Sequence, residues 1–185
     1  MCENRKMRRG EEITWLEDIP VLISWDEDAP RLQVTPALQL TLSAEVVVTD
    51  PPVGQVEVLI EYDEHLERLV ARRVSVSSMS GDEVTGTMLR AVRVHELVET
   101  AAPTMLYRMS EVDGWSNHGA LFPDDELDAA KTSATARIEL AARIYTVSRL
   151  INQRPVKNVA DYLEVSTSTA TRLVAEARKR GWLDG

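Results

Sequence analysis

Hydroxyl and cationic side chains gather on one side of a short stretch near the end of the chain. At helical spacing, Thr167, Ser168, Thr171, Arg172, Ala175, Arg178 and Lys179 share one face, while Ala170, Leu173, Val174 and Ala177 share the other. Short hydroxyls donate and accept hydrogen bonds at close range, and guanidinium or ammonium groups pair with anions. That mixture suits hydrogen bonding to base edges and charge pairing with phosphates. No comparable set of residues points to catalysis. His65, His95 and His118 fall on separate elements with no cysteine nearby, so metal ligation has no support. GDEVTGT at 81–87 lacks the Gly-Lys-Ser/Thr ending of a phosphate-cradling loop. The acidic groups Asp26, Glu27 and Asp28, and Asp63 with Glu64, read as solvated turns. The chain is therefore expected to be no enzyme and to hold no metal or cofactor.

Two short amphipathic helices must present that face. In the first, Val156, Val159, Ala160 and Leu163 lie on one side. Glu164 and Val165 make the turn, and Ser166 stands where a hydroxyl caps the next helix by accepting a hydrogen bond from a free amide. The second helix runs over 167–180, and Gly181 is placed to stop it.

The stretch Pro155–Leu183 resembles the helix-turn-helix of bacterial and phage DNA-binding proteins. Ala160 supplies the small residue where the two helices touch, Val165 the branched apolar residue after the turn, and Ser166, Ala170 and Leu173 the cap and core positions of the second helix. The family usually has Gly where this chain has Glu164, because that residue takes a left-handed conformation; another residue there costs about 1 kcal/mol. The resemblance covers the C-terminal part alone. It implies that helix 167–180 enters the major groove of double-stranded DNA, with Thr167, Ser168, Thr171 and Arg172 at base edges. Arg154, Lys157, Arg178 and Lys179 are then placed for phosphates, and the amides at Ser166–Ser168 suit another. Trp182 and Leu183 stand where winged relatives begin a wing, but the sequence ends at Gly185, so a plain three-helix reader is expected. A homodimer is expected as well, since one such unit reads few base pairs.

Charge divides the chain in the same place. The net charge is −9, yet residues 1–130 carry 11 basic and 25 acidic groups, and residues 131–185 carry 10 and 5. An acidic part of net −14 thus precedes a basic part of net +5, so the acidic part should face away from a polyanion. In 185 residues, 44% hydrophobic and 28% charged, no apolar run approaches membrane-spanning length, and no secretory signal is visible. The single cysteine, Cys2, reads as a free thiol in a reducing cytoplasm.

The N-terminal part has period two. Met1 to Gly10 reads as a flexible basic arm, and 11–20 as a short lead-in holding Trp15 and Leu16. Val21, Ile23 and Trp25, a turn at 26–30, and Leu32 with Val34 suggest a first hairpin. Leu38, Leu40, Leu42, Ala44, Val46 and Val48 predict one long half-buried strand; Val56, Val58, Ile60 and Tyr62 predict another, and Val70, Arg72, Val74 and Val76 a fifth. Connections too short for crossover helices require an antiparallel sheet. From Val84 to Val98 the spacing becomes helical, giving one or two covering helices that Pro103 ends; 105–109 is ambiguous.

The fold class expected is α+β: an antiparallel sheet domain with covering helices over 11–110, a linker over 111–124, and an all-α three-helix helix-turn-helix domain over 125–185. Its first helix starts at a capping Asp124 or Asp125 and runs to about Asn152. There Leu140, Ile144, Val147 and Ile151 should lie under the other two helices. A second stripe, Leu127, Ala130, Ala134, Ile138, Ala141 and Tyr145, should dock on the sheet domain or on another subunit. The function expected is sequence-specific DNA binding by a transcriptional regulator, the N-terminal domain serving dimerisation, a protein partner or an effector. The alternative is a protein-interaction module or anionic mimic working through the acidic domain.

Overall fold

Alternation of branched apolar residues with polar ones builds the first half of the chain. The computed structural model describes residues 9–50, 53–110, 114–117 and 121–183. Strands β1 (Arg9–Leu16), β2 (Ile19–Asp26), β5 (Ser43–Asp50), β6 (Gly54–Asp63) and β7 (Arg68–Ser77) form a five-stranded antiparallel sheet in the order β1-β2-β5-β6-β7. Strands β3 (Arg31–Thr35), β4 (Leu38–Thr41), β8 (Leu106–Ser110) and β9 (Gly114–Ser116) form a second sheet in the order β3-β4-β8-β9. Helices α1 (Gly86–Ala91) and α2 (Val94–Met105) connect β7 to β8. Leu97, Val98, Ala101, Ala102 and Met105 of α2 close a core with Val21, Ile23, Val46, Val58 and Ile60 of the first sheet and Leu38, Leu40 and Leu106 of the second. Trp25 Nε1 donates to the Tyr107 hydroxyl at 2.8 Å, tying the sheets together, and the Arg31 guanidinium lies 3.6 Å from the centre of the same tyrosine ring. Gly10 stands opposite Trp25 in the β1–β2 register, and a Cβ there would come within 2.4 Å of the indole.

Several expected elements divide differently. The strand read over Leu38–Val48 is two strands in different sheets. The chain bends at Leu42, which is 37% exposed, while Thr41 is 2% exposed. The apolar alternation runs through this corner without a break, so spacing alone cannot locate it. The hairpin expected over 21–34 does not form, because β2 pairs with β1 and β5 while β3 pairs with β4. The turn between β2 and β3, where the Asp26 carboxylate accepts from the Asp28 amide, passes the chain from one sheet to the other. The lead-in at 11–20 holds most of β1, a turn and the start of β2; the apolar Ile13 and Trp15 of β1 face outward, which hid the strand. In β7 a register shift at Leu59/Ile60 of β6 leaves Arg72 unopposed, so Leu69 and Ala71 face the core before it and Val76 after it. Pro103 lies inside α2, which runs on to Met105. The ambiguous 105–109 is mostly strand β8, and β9 falls within the expected linker. Most of the basic arm, Cys2, His118 and parts of the linker at 111–113 and 118–120 lie outside the described residues.

The C-terminal part is helical: α3 (Asp124–Thr132), α4 (Ala134–Leu150), α5 (Pro155–Tyr162) and α6 (Thr167–Lys179). The first helix of the expected three is thus two helices, broken at Ser133. Its hydroxyl caps α4 by accepting from the Ala136 amide at 3.3 Å. Arg137 reaches back to donate to the carbonyls of Ala130 and Lys131 at 2.7 Å each, satisfying the end of α3. Neither Asp124 nor Asp125 caps α3; Pro123 is the cap residue, and the acidic groups sit in the first turn, where they complement the helix dipole.

Helix α4 packs both ways. Leu140, Ala141 and Ile144 meet α5 and α6, whereas Val147, Leu150 and Ile151 join the core under the sheets. The stripe expected to lie wholly under α5 and α6 is therefore shared between two cores. Most of the second stripe also packs within the helical part, Ala130, Ala141, Leu127 and Tyr145 in the α5–α6 core and Ile138 against Ala177. An ion-pair bridge supports the junction. Glu126 of α3 accepts from Arg108 of β8 at 2.9 Å and also from Arg143 of α4. Burial, and then the charge of Arg108, hold the Arg143 pKa below the ordinary arginine value.

Glu126→Ala leaves the largely buried Arg143 without its carboxylate and is expected to cost about 2–3 kcal/mol, read as a shift in urea midpoint. Ile144→Ala and Leu150→Ala are each expected to cost about 2–5 kcal/mol. Because one helix serves both cores, circular dichroism and tryptophan fluorescence should report one shared transition in both variants; separate midpoints would show that the two parts unfold independently.

Candidate nucleic-acid interface

Helix α6 is held from below by small residues. Ala160 of α5, Ala170 and Ala177 of α6 and Ala141 of α4 are buried, so the backbones approach closely. Val159, Val174 and Ile144 fill the remaining space, with Leu163, Val165 and Leu173 at the margin. The chain reverses between the helices through Leu163–Ser166. Glu164 has φ 51°, the left-handed conformation. The Glu164 amide donates to the Asp161 carbonyl at 3.3 Å and the Val165 amide to the Ala160 carbonyl at 2.9 Å, closing the end of α5. The same pair of hydrogen bonds ends α4 at Asn152 (φ 57°) and α6 at Gly181 (φ 70°). Three successive helices thus stop by one device, and only the last uses a glycine.

Ser166 caps α6, its hydroxyl accepting from the Thr169 amide at 3.2 Å. The first amides beyond it have no partner within the helix and carry the positive end of its dipole. Thr167, Ser168, Thr171 and Arg172 are all exposed and share the face opposite the buried stripe. The Thr171 hydroxyl donates to the Thr167 carbonyl at 2.9 Å, leaving its lone pairs outward. Arg172 contacts the Thr169 hydroxyl at 3.4 Å, and that hydroxyl lies 3.0 Å from the Ser166 oxygen. Thr169 is the residue that sequence reasoning missed. Its place three residues before Arg172 and three after Ser166 was the available signal.

The expected phosphate-contacting residues do not lie together. Ser166 stands at the N-terminal end of α6, and Arg154 and Lys157 are exposed at the start of α5. Arg178 and Lys179 are at the far end of α6, about 16 Å along the axis from Thr167 at 1.5 Å per residue. There Arg178 turns back onto α4, donating to the Tyr145 hydroxyl at 2.9 Å, and Lys179 sits 3.9 Å from Glu176. Trp182 follows, facing Val34–Ala37 of the second sheet across a cleft of about 350 Å3. The C-terminal end of α6 therefore faces the sheet region, whereas the turn before its N-terminal end shares a hollow with Asp124 and Asp128 of α3. Of the histidines described, His65 lies in the β6–β7 turn and His95 on α2, 3.4 Å from Glu99. Among the described residues no helix is long and apolar enough to cross a membrane.

No protein-family model matches this chain, and no curated protein or solved structure matches it either.

Glu164→Gly removes the strain of a side chain in the left-handed region and is expected to raise stability by about 1 kcal/mol, measured by the denaturant midpoint. A loss of stability would show that the glutamate makes a compensating contact.

Proposed function

We propose that this chain is a sequence-specific double-stranded DNA-binding protein, a transcriptional regulator whose α5–turn–α6 unit is a helix-turn-helix. The observation that carries the reading is the exposed face of Thr167, Ser168, Thr171 and Arg172 on the first half of α6, in the net-basic part of an acidic chain. In this mechanism α6 enters the major groove by its N-terminal half. Arg172 and the three hydroxyls read base edges, with Thr169 steadying Arg172. Ser166, the first amides of α6, Arg154 and Lys157 hold phosphates on either side. Arg178 and Lys179 take the outer phosphates if they leave Tyr145 and Glu176. The sheet region stays on the far side of α6, where its negative charge opposes the polyanion least. A cytoplasmic location goes with this role.

The test begins with selection of genomic fragments on the purified protein, which supplies a specific duplex. Arg172→Ala is then expected to weaken binding to that duplex by about 1–3 kcal/mol and to be felt much less on random DNA. Lys157→Ala should weaken both duplexes alike and lower the salt slope by about one. Equal losses on both duplexes for Arg172→Ala would remove it from the bases. Binding that does not change with salt would turn attention to the acidic sheet region as the working part.

A further inference from the structure

Strand β1 ends the first sheet with a surface that ordinary solvation does not explain. Ile13 is 65% exposed and Trp15 63%, and in the β1–β2 register Ile13 stands opposite Leu22, itself 36% exposed. Three large apolar side chains thus share the outer face of one sheet corner. A sheet edge also offers a row of backbone donors and acceptors, and proteins commonly blunt such edges with bulges, charges or short strands.

The other edges described here are blunted in that way. β7 has a register shift and displays Arg72 and Arg73; β3 has a register shift and is followed by Pro36; β9 is three residues long. β1 differs. Its charges, Arg9, Glu11 and Glu12, all lie in its first half, and it holds eight consecutive partners on β2 without a shift, contains no proline, and has no strand on its other side among the described residues.

Charge along the strand indicates the occupant. The sequence just before β1 is basic, with Arg5, Lys6 and Arg8, and the turn just after it is acidic, with Glu17 and Asp18. Two copies paired antiparallel set the basic end of each beside the acidic end of the other. Parallel pairing of two copies would set like charges together at both ends, and a partner strand of uniform charge would gain from only one. Glu17 already accepts from Arg93 at 3.2 Å but remains largely exposed.

We propose that the chain forms a two-fold homodimer in which the β1 edges pair antiparallel about Ile13, joining two five-stranded sheets into one of ten strands. The exposed faces of Ile13, Trp15 and Leu22 from the two copies then adjoin, with Ile13 opposite its own copy and Glu11 of each copy opposite Trp15 of the other. The interface is isologous, so the pairing closes at two copies. It stands on this surface alone and does not require the DNA-binding reading, although it would supply the second α6 that reading needs.

Sedimentation of the full chain is expected to show a reversible dimer. Ile13→Lys sets two like charges at the two-fold and should raise the dissociation constant about thirtyfold or more, the scale of a lost interface hot spot. Its circular dichroism melt should stay close to that of the parent, since residue 13 is exposed in one copy. A second variant reads the register. In a Cys2→Ser background, Ile13→Cys should form a disulfide-linked dimer under mild oxidation, because opposed residues of an antiparallel pair lie within disulfide reach. Leu66→Cys, exposed at the distant β6–β7 turn, should not. A monomer at every concentration overturns the proposal, as does a dimer indifferent to Ile13→Lys or a pair of cysteine variants that cross-link equally. A monomer that still binds specific DNA would remove the interface and leave the DNA reading; a dimer blind to DNA would do the reverse.

Discussion

One helix has to satisfy two cores. α4 is 17 residues long, about 25 Å, and its first half is covered by α5 and α6 while its last turn is covered by the sheets and α2. Among the described residues, that arrangement couples the two parts of the molecule through one continuous helix. The Glu126 bridge to Arg108 and Arg143 and the Arg149–Glu67 pair at 2.6 Å add polar contacts along the same helix. A third line of contact runs from Asn158 of α5 to Gln153, whose side chain donates to Glu99 of α2 at 2.8 Å. The orientation of α6 relative to the sheets is therefore set by packing and by several ion pairs and hydrogen bonds together.

That orientation gives the charge division a spatial meaning. A basic C-terminal part would gain little if the acidic part lay beside its working face. Here the strands that face the C-terminal end of α6 across from Trp182, β3 and β4, carry Arg31 and no acidic residue. On the DNA-binding reading proposed above, the acidic groups nearest the working end are those of α3, Asp124 and Asp128, with Glu164 of the turn.

The last two helices, α5 and α6, were legible because their signals are local. Ser166 caps the amide three residues on, Glu164 turns the chain through bonds that span three and five residues, and Ala160 and Ala170 make room only ten residues apart. The sheet region was legible only as a class. Its strands were mostly found, but which strand meets which depends on contacts far apart in sequence, such as Trp25 with Tyr107. The corner at Leu42 shows the difficulty, since alternation of apolar residues continues through it while the chain changes sheets. β1 was missed because its apolar residues lie on the outer face, and the break at Ser133 because both α3 and α4 carry helix-forming residues up to it. For the candidate site, the exposed face could be read from spacing, but the turning of Arg178 onto Tyr145 could not, because it requires knowing how α4 lies against α6.

The outward face of α6 has one further property. Thr167, Ser168, Thr171 and Arg172 belong to none of the packed clusters, and the hydrogen bonds they make stay within their own helix. Exchange of exposed side chains away from caps and cores commonly changes stability by less than about 0.5 kcal/mol. The surface that would choose a target is thus written on a support that does not depend on it. Such a helix can be re-lettered one position at a time, by drift or by design, with every intermediate still folded.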